Sequence, residues 1–242
     1  MRVETNVRLA RRNRQIAQYL FFASFGLLII GLLVSNVQID QDDDVLPFLI
    51  PALVLPLAFI ATMVSVRMTN LWVRVPRPEN VIRDGLKGVS NKSVLYSYYL
   101  FPARHVLITP QGVYAMVTRF QDGRFTVEGD KWKTHRSTIG RLFSLLRFDS
   151  VGNPSEDARA AAAHVQTMVD RVATGVIVQP VVVFVDPRVE INMINPTVPV
   201  LYPDVKRNPN LKNYLRDTAK SSQVSLSPDQ IQEFEQQFLN RA

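Results

Sequence analysis

Few side chains in this chain could act as nucleophiles or metal ligands, and their spacing fits no catalytic pattern. The 242 residues include no cysteine, which excludes thiolate catalysis, cysteine-ligated zinc and disulfide bonds. His105, His135 and His164 do not pair at the i, i+4 spacing of a helical metal site. No glycine-rich phosphate loop and no G-x-S-x-G motif is present. We therefore expect no catalytic residue, no metal and no cofactor, and we interpret His105 as a hydrogen-bonded structural histidine.

Basic side chains offer a second kind of chemistry, the binding of phosphate groups. The formal net charge is +7. Anionic lipid headgroups and nucleic acid are both partners of such a basic protein. The candidates for anion or nucleic-acid contacts are Arg104, Arg119, Arg124, Lys131, Lys133 and Arg136.

Strands separated by turn signals position the first of these residues. Runs rich in Tyr, Val, Leu and Phe alternate with the turn tripeptides Pro-Gln-Gly and Gln-Asp-Gly. This pattern predicts an antiparallel meander of strands at 93–100, 103–109, 113–120 and 124–128. A short helix at 79–87 precedes them.

The second half of the domain alternates helices with buried strands. Asn153 and Pro154 begin a helix that runs to about residue 173. The β-branched run at 176–185 predicts a strand buried on both faces, and 198–202 predicts a shorter one. Helices follow at 211–220 and within 221–242. We predict one α/β (α+β) domain at 79–220 around a mixed central sheet, with a C-terminal helix at 221–242.

Two apolar runs before this domain are long enough to cross a bilayer. Residues 16–39 and 45–66 carry no charge, and about 20 such residues span the hydrocarbon core. They predict a two-helix transmembrane hairpin with spans at about 16–38 and 45–66 and an acidic loop at 39–44. Pro47 and Pro51 predict a kink or an irregular start in the second span. A basic N-terminus at 1–15 and a linker at 67–78 flank the hairpin.

The charges that flank the hairpin predict its orientation in the membrane. Arginines lie before the first span and after the second, so both termini are expected in the cytoplasm, with the protein in the plasma (inner) membrane. Gly26 and Gly31 are candidates for close helix packing, although composition alone also explains them. The amphipathic segment 139–148 fits either a packed core or the membrane surface.

The order of the motifs resembles the NERD (nuclease-related) domain, a family with the restriction-endonuclease-like, PD-(D/E)XK, fold. The resemblance covers roughly residues 77–215. The motifs that carry it are ARHVLI at 103–108, TPQGVYAMVTRFQDG at 109–123, Trp132, NPSEDARAAAAHV at 153–165 and VQPVVVFVDP at 178–187.

The resemblance implies a metal-dependent phosphodiesterase site whose acids are missing here. Its metal-binding Asp falls on Arg104, its Glu on Val117, its Lys on Arg119 and its Gln on Asp157. Neither valine nor arginine ligates a hard cation. Asp122, Glu128 or Asp157 would have to replace the lost ligands for cleavage to survive.

Three functional hypotheses remain. The first is a non-catalytic, membrane-anchored interaction protein, an accessory or assembly subunit of a membrane protein complex. The second is a membrane-tethered nucleic-acid-binding protein that lost cleavage. The third is a metal-dependent nuclease with relocated ligands. The absence of charge within the spans favours the first; it predicts the lipid bilayer and membrane proteins as partners and no small-molecule substrate.

Overall fold

The computed structural model describes residues 1–35, 46–135 and 151–239 of the chain. Helices and strands account for most of these residues. In chain order they are β1 (Arg2–Thr5), α1 (Val7–Ser35), α2 (Leu46–Trp72), α3 (Pro78–Gly85), β2 (Val94–Leu100), β3 (Ala103–Thr109), β4 (Gly112–Arg119), β5 (Gly123–Glu128), β6 (Lys131–His135), α4 (Pro154–Val169), β7 (Val178–Phe184), β8 (Val189–Ile194), β9 (Val200–Leu201), α5 (Leu211–Ser221) and α6 (Pro228–Leu239).

The described residues form two compact units. The hairpin unit contains α1 and α2. The sheet unit contains β1 and every element from α3 onward. The segment 139–148, for which the sequence left two interpretations open, lies outside the described residues.

A mixed sheet of six strands, in the order β1-β2-β3-β4-β7-β9, is the centre of the sheet unit. Strands β2, β3 and β4 are antiparallel neighbours, whereas β1 joins β2, and β7 joins β4 and β9, in parallel. Helices α4 and α6 bury their apolar sides against one face. Helices α3 and α5 cover the other. The predicted α/β architecture with a mixed central sheet is confirmed.

The predicted fourth strand of the meander does not pair with the third. Strand β5 instead lies between β6 and β8 in a separate three-stranded sheet. Only Phe125 and Val127 of β5 are buried, whereas β3 and β4 of the central sheet are buried on both faces. A strand with one apolar face suits a sheet covered on one side, and these two residues pack against Phe184 and the core around it.

The first residues of the chain are not only a basic tail, as 1–15 was predicted to be. Residues 2–5 form strand β1, and Val3 pairs with Leu95 on β2. Helix α1 then begins at Val7, well before the predicted residue 16. Arginine is a good helix former, so the helix continues through the basic segment that precedes the apolar run.

The second helix also extends beyond its predicted span. Helix α2 begins at Leu46, passes Pro51 and continues to Trp72, so only residues 73–77 remain of the predicted 67–78 linker. Arg14 Nε donates a hydrogen bond to the carbonyl of Trp72 at 3.1 Å, which satisfies one of the free carbonyls at the end of α2. Residues Val7–Leu33 and Ala52–Trp72 are long and apolar enough to span a membrane.

The buried positions of the two helices recur every seven residues. We call these positions the hairpin seam; they are Ala10, Ala17, Ser24 and Gly31 on α1, and Ala58, Ser65 and Trp72 on α2. This period is that of helices supercoiled around each other, and small residues let backbones approach closely. A Cβ on Gly31 would lie 3.5 Å from side chains of Val54 and Leu55, whereas one on Gly26 would meet no described atom within 4 Å. Of the two predicted packing glycines, only Gly31 faces the partner helix.

Candidate functional site

The structure brings together the positions that the resemblance assigns to a nuclease centre. The ladder of β3 and β4 pairs His105 with Met116, so Arg104 and Val117 occupy the next positions on the two strands. Side chains alternate between the faces of a strand, so Arg119 shares the face of Val117. Asp157 belongs to the first turn of α4, which covers that face.

The cap of α4 places Asp157. Asn153 Oδ1 accepts a hydrogen bond from the backbone N–H of Glu156 at 3.3 Å, and the Asn153 carbonyl accepts one from the N–H of Asp157 at 3.1 Å. These bonds satisfy donors at the start of the helix, as the sequence predicted for Asn153. The Glu156 carboxylate contacts the Asn153 side-chain amide at 3.4 Å and completes the interaction from the other direction.

An ion pair between Arg119 and Asp157 fills the centre of this site. Arg119 Nη2 donates to Asp157 Oδ2. Its Nε donates to the carbonyl of Val151, and its Nη1 to that of Thr118, both at 3.3 Å. The Arg119 side chain is only 15% exposed, whereas that of Asp157 is 59% exposed. Burial lowers the pKa of Arg119, and the Asp157 carboxylate acts in the opposite direction.

This arrangement does not provide the ligands of a hard divalent cation. Such a cation needs several oxygen ligands, and a guanidinium already occupies the Asp157 carboxylate. Within the described part of the chain, no group of three or more His, Asp or Glu side chains lies close enough to hold a metal ion.

The alternative ligands weighed from the sequence also contact cations. Arg188 Nη2 bridges Asp122 Oδ2 at 3.0 Å and Asp186 Oδ2 at 2.9 Å. The carboxylate of Glu128 lies 4.0 Å from the ammonium of Lys133. Two acids that could have been recruited for a metal thus have basic neighbours.

The predicted anion-binding residues divide between the two sheets. Arg104 and Arg119 lie on the central sheet, whereas Arg124, Lys131 and Lys133 lie on β5 and β6. Arg124 Nε donates to Glu190 at 2.8 Å. Arg119, Arg124 and Lys133 each have an acidic neighbour, so these three candidates are already paired within the protein. Arg136, the sixth candidate, lies outside the described residues.

A buried polar cluster on β2 and β3 contains His105, and the sequence predicted only this member of it. His105 is fully buried, and its Nδ1 lies 3.1 Å from Ser97 Oγ, as expected of a hydrogen-bonded structural histidine. Burial lowers the pKa of His105 to about 3. The adjacent Tyr98 has a φ of 68° and donates its hydroxyl to Glu79 at 2.7 Å. The register shift after Ser97 that creates this geometry has no signature in the sequence.

Searches of protein-family models, of curated proteins and of solved structures found no match to this chain.

Proposed function

We propose that this protein is a non-catalytic, membrane-anchored interaction protein, an accessory or assembly subunit of a membrane protein complex. The observation that carries the proposal is a helical hairpin with an apolar exterior, joined to a sheet unit in which an ion pair closes the nuclease-like position.

The distribution of side chains in the hairpin is the reverse of that in a water-soluble helical pair. Small side chains dominate the hairpin seam, and large apolar side chains face outward. In water these outward residues would form an apolar surface far larger than soluble monomers expose; in a bilayer they face lipid. The outward residues are Ile16, Tyr19, Phe21, Phe22, Phe25, Leu28, Ile29, Ile30, Leu32, Leu33, Leu53, Leu55, Leu57, Phe59, Ile60 and Val64.

Strand pairing supports the predicted topology. Strand β1 precedes the hairpin and β2 follows it, yet the two strands are hydrogen-bonded neighbours. Strands in one sheet lie on one side of a membrane, so two spans between them must cross and return. The arginines at both ends of the hairpin favour the cytoplasmic side of the plasma (inner) membrane; they are Arg8, Arg11, Arg12, Arg14, Arg67 and Arg74.

An interaction role fits this anchor better than transport or cleavage does. No charged side chain lies within residues 16–39 or 45–66, and a pair of helices without intramembrane charges offers no ion pathway. The Arg119–Asp157 ion pair weighs against a metal-dependent nuclease. The pairing of Arg124 with Glu190 weighs against nucleic acid as the main partner.

Extraction from the native membrane in mild detergent tests the proposal. The size and protein composition of the particle are measured after affinity purification. Stoichiometric partner subunits that reappear in independent preparations are the expected result. A particle that contains only this chain, alone or as a homo-oligomer, would refute the accessory-subunit role.

The absence of cysteine allows a direct test of the topology. A single cysteine is introduced at Gln41, between the spans, or at Lys220, on α5, and whole cells are treated with a membrane-impermeant maleimide. We expect labelling of Gln41→Cys in intact cells and of Lys220→Cys only after lysis. The opposite pattern would place the sheet unit outside the cytoplasm.

A further inference from the structure

A cavity of about 240 Å³ lies between α5 and one end of the central sheet. It is at the end where β2 begins and β3 finishes, so Ser93 and Thr109 contribute to its wall. Strand β1 ends beside the middle of β2, where the N–H of Asn6 donates to the carbonyl of Ser97.

The lining of the cavity combines an apolar floor with cations. Tyr114 and Leu215 are buried and supply the floor, and Lys212 and Arg216 stand on α5. Among the described residues that line it there is no aspartate and no glutamate. The carboxylate of Asp217 lies 3.7 Å from Arg216 Nε, but Asp217 is outside the lining, and both side chains are exposed. The lining itself is therefore positively charged and offers an apolar body a place to pack.

One polar group in the wall is buried without a partner. Ser93 is fully buried, and its Oγ has no hydrogen-bond partner among the described residues. A buried hydroxyl without a hydrogen bond costs free energy, so such groups in native proteins call for an explanation. Ser93 thus contributes to the wall a polar group that the described part of the protein leaves unsatisfied.

The position of Lys212 is fixed by its neighbours. Its ammonium donates a hydrogen bond to the carbonyl of Lys87 at 2.6 Å, at the end of α3. Gly88 has a φ of 87°, and a Cβ there would lie 3.1 Å from Lys212 Nζ. The glycine both allows the turn and leaves room for the ammonium beside the cavity.

We propose that this cavity binds a small water-soluble organic anion, an aromatic or aliphatic body that carries one phosphate or carboxylate group. The body packs against Tyr114 and Leu215, and the anionic group pairs with Arg216 and Lys212. This site is independent of the proposed anchoring function, so either can fail without the other.

Binding is measured on the full chain in nanodiscs of zwitterionic lipid, with 4-fluorophenyl phosphate as the probe and fluorine NMR as the readout. We expect saturable binding with a dissociation constant of about 1 mM or lower. Neutral 4-fluorobenzyl alcohol, which keeps the ring and lacks the charge, is expected to bind about ten-fold more weakly.

Three variants assign the binding to the cavity. Arg216→Gln is expected to weaken binding of the phosphate about ten-fold. Ala219→Leu places a larger side chain in the cavity and is expected to abolish binding of both probes. The matched control is Arg171→Gln, which removes an exposed cation that follows α4, on the opposite face of the central sheet, and should change nothing. Lys220 would not serve, because it shares the carboxylate of Asp217 with Arg216. If Ala219→Leu does not fold, the comparison of Arg216→Gln with Arg171→Gln decides.

Several results would overturn the proposal. They are no saturable binding of the phosphate up to about 10 mM, equal binding to Ala219→Leu, or equal losses in Arg216→Gln and Arg171→Gln, which would indicate unspecific attraction. Nanodiscs that contain phosphatidylglycerol provide one more comparison. Displacement of the probe by this lipid would assign the cavity to a headgroup and would contradict a water-soluble ligand.

Discussion

Removing the carboxylate of Asp157 is expected to destabilise the sheet unit. In Asp157→Asn, the Arg119 guanidinium keeps only its two 3.3 Å bonds to backbone carbonyls. Loss of one partner costs about 3–5 kcal/mol in a buried ion pair and about 0–1 kcal/mol in an exposed one. Arg119 is 15% exposed and Asp157 is 59% exposed. The pair therefore falls between these cases, and we expect a loss of about 2 kcal/mol in the free energy of unfolding.

Removing the other member of the ion pair should lower the free energy of unfolding by less. In Arg119→Met, an apolar side chain replaces the partly buried cation, and the carboxylate of Asp157 is exposed enough to be hydrated. The double variant removes both charges, so it should recover stability relative to Asp157→Asn alone. Glu156→Gln is the matched control, because it removes a neighbouring charge from the first turn of α4 without breaking the ion pair.

Fluorescence of Trp132 reports on this region during urea unfolding of the full chain in detergent, measured in a Trp72→Phe background because Trp72 lies on the hairpin. Trp132 stacks on Phe184 at 5.7 Å between ring centroids and donates a hydrogen bond to Ser155, in the first turn of α4. In thermal unfolding the same loss corresponds to a fall in Tm of about 4–8 °C.

Two results would refute this reasoning. Equal losses in Asp157→Asn and Glu156→Gln, with no coupling in the double-variant cycle, would show that the ion pair contributes nothing. An increase in Tm on addition of Mn²⁺ that disappears in Asp157→Asn would show that Asp157 is a metal ligand after all. The relocated nuclease would then replace the non-catalytic interpretation.

Three further predictions concern glycine positions and a buried histidine. Gly85→Ala should lower the free energy of unfolding by about 2–3 kcal/mol, because a methyl group would overlap the carbonyl oxygen of Pro203; refolding yield and urea midpoint measure this, and an unchanged midpoint would contradict it. Gly31→Leu should lower the Tm of the hairpin in detergent while Gly26→Leu does not, since only the first faces α2; equal effects would argue against the seam. Burial lowers the pKa of His105 to about 3. Below about pH 6.5 the unfolded chain therefore binds a proton that the folded chain does not. The free energy of unfolding should decrease as the pH is lowered, by up to about 1.4 kcal/mol per pH unit. Urea midpoints between pH 4 and 7 test this, and a slope that His105→Leu leaves unchanged would assign it to other groups.

Local patterns were sufficient for most elements of the sheet unit. The bounds predicted for β3, 103–109, agree with the structure, and Asn153 caps α4 as expected. Hydrophobic periodicity and turn residues are local signals, because the residues that form them lie within a few positions of each other. They can therefore be recognised in a single sequence. The same holds for α6, where Ile231, Phe234 and Phe238 form the buried side.

Pairing between strands that are distant in the sequence could not be predicted from local patterns. Strand β1 joins β2 across about ninety residues, and β8 joins β5 through a parallel ladder. Nothing in the short segment 2–5 distinguishes a strand from a basic tail, because its partner lies beyond the hairpin. The seven-residue spacing of Ala10, Ala17, Ser24 and Gly31 was visible in the sequence and would have identified the hairpin seam.

In the candidate site, too, some contacts were predicted from the sequence and others depend on the fold. A resemblance in motif order was enough to place Arg119 and Asp157 in one site, and the structure puts them in contact. The role of Arg188 between Asp122 and Asp186 depends on how β4 and β7 end side by side. Only the parallel pairing of these strands brings those acids together.

The pairing of β1 with β2 also couples completion of the sheet to the hairpin between them. The edge strand of the sheet precedes α1, and its neighbour follows α2. If the hairpin spans a membrane, as we propose, the sheet is complete only after both helices have been inserted and the chain has returned. A sheet unit released from the hairpin by a cut after Val75 would leave β2 as an uncovered edge, unless β1 rebinds as a separate peptide. Long uncovered edges promote association between copies. The order of the chain thus gives the proposed membrane anchor a second role, because the two strands that it separates must pair for the sheet to be complete.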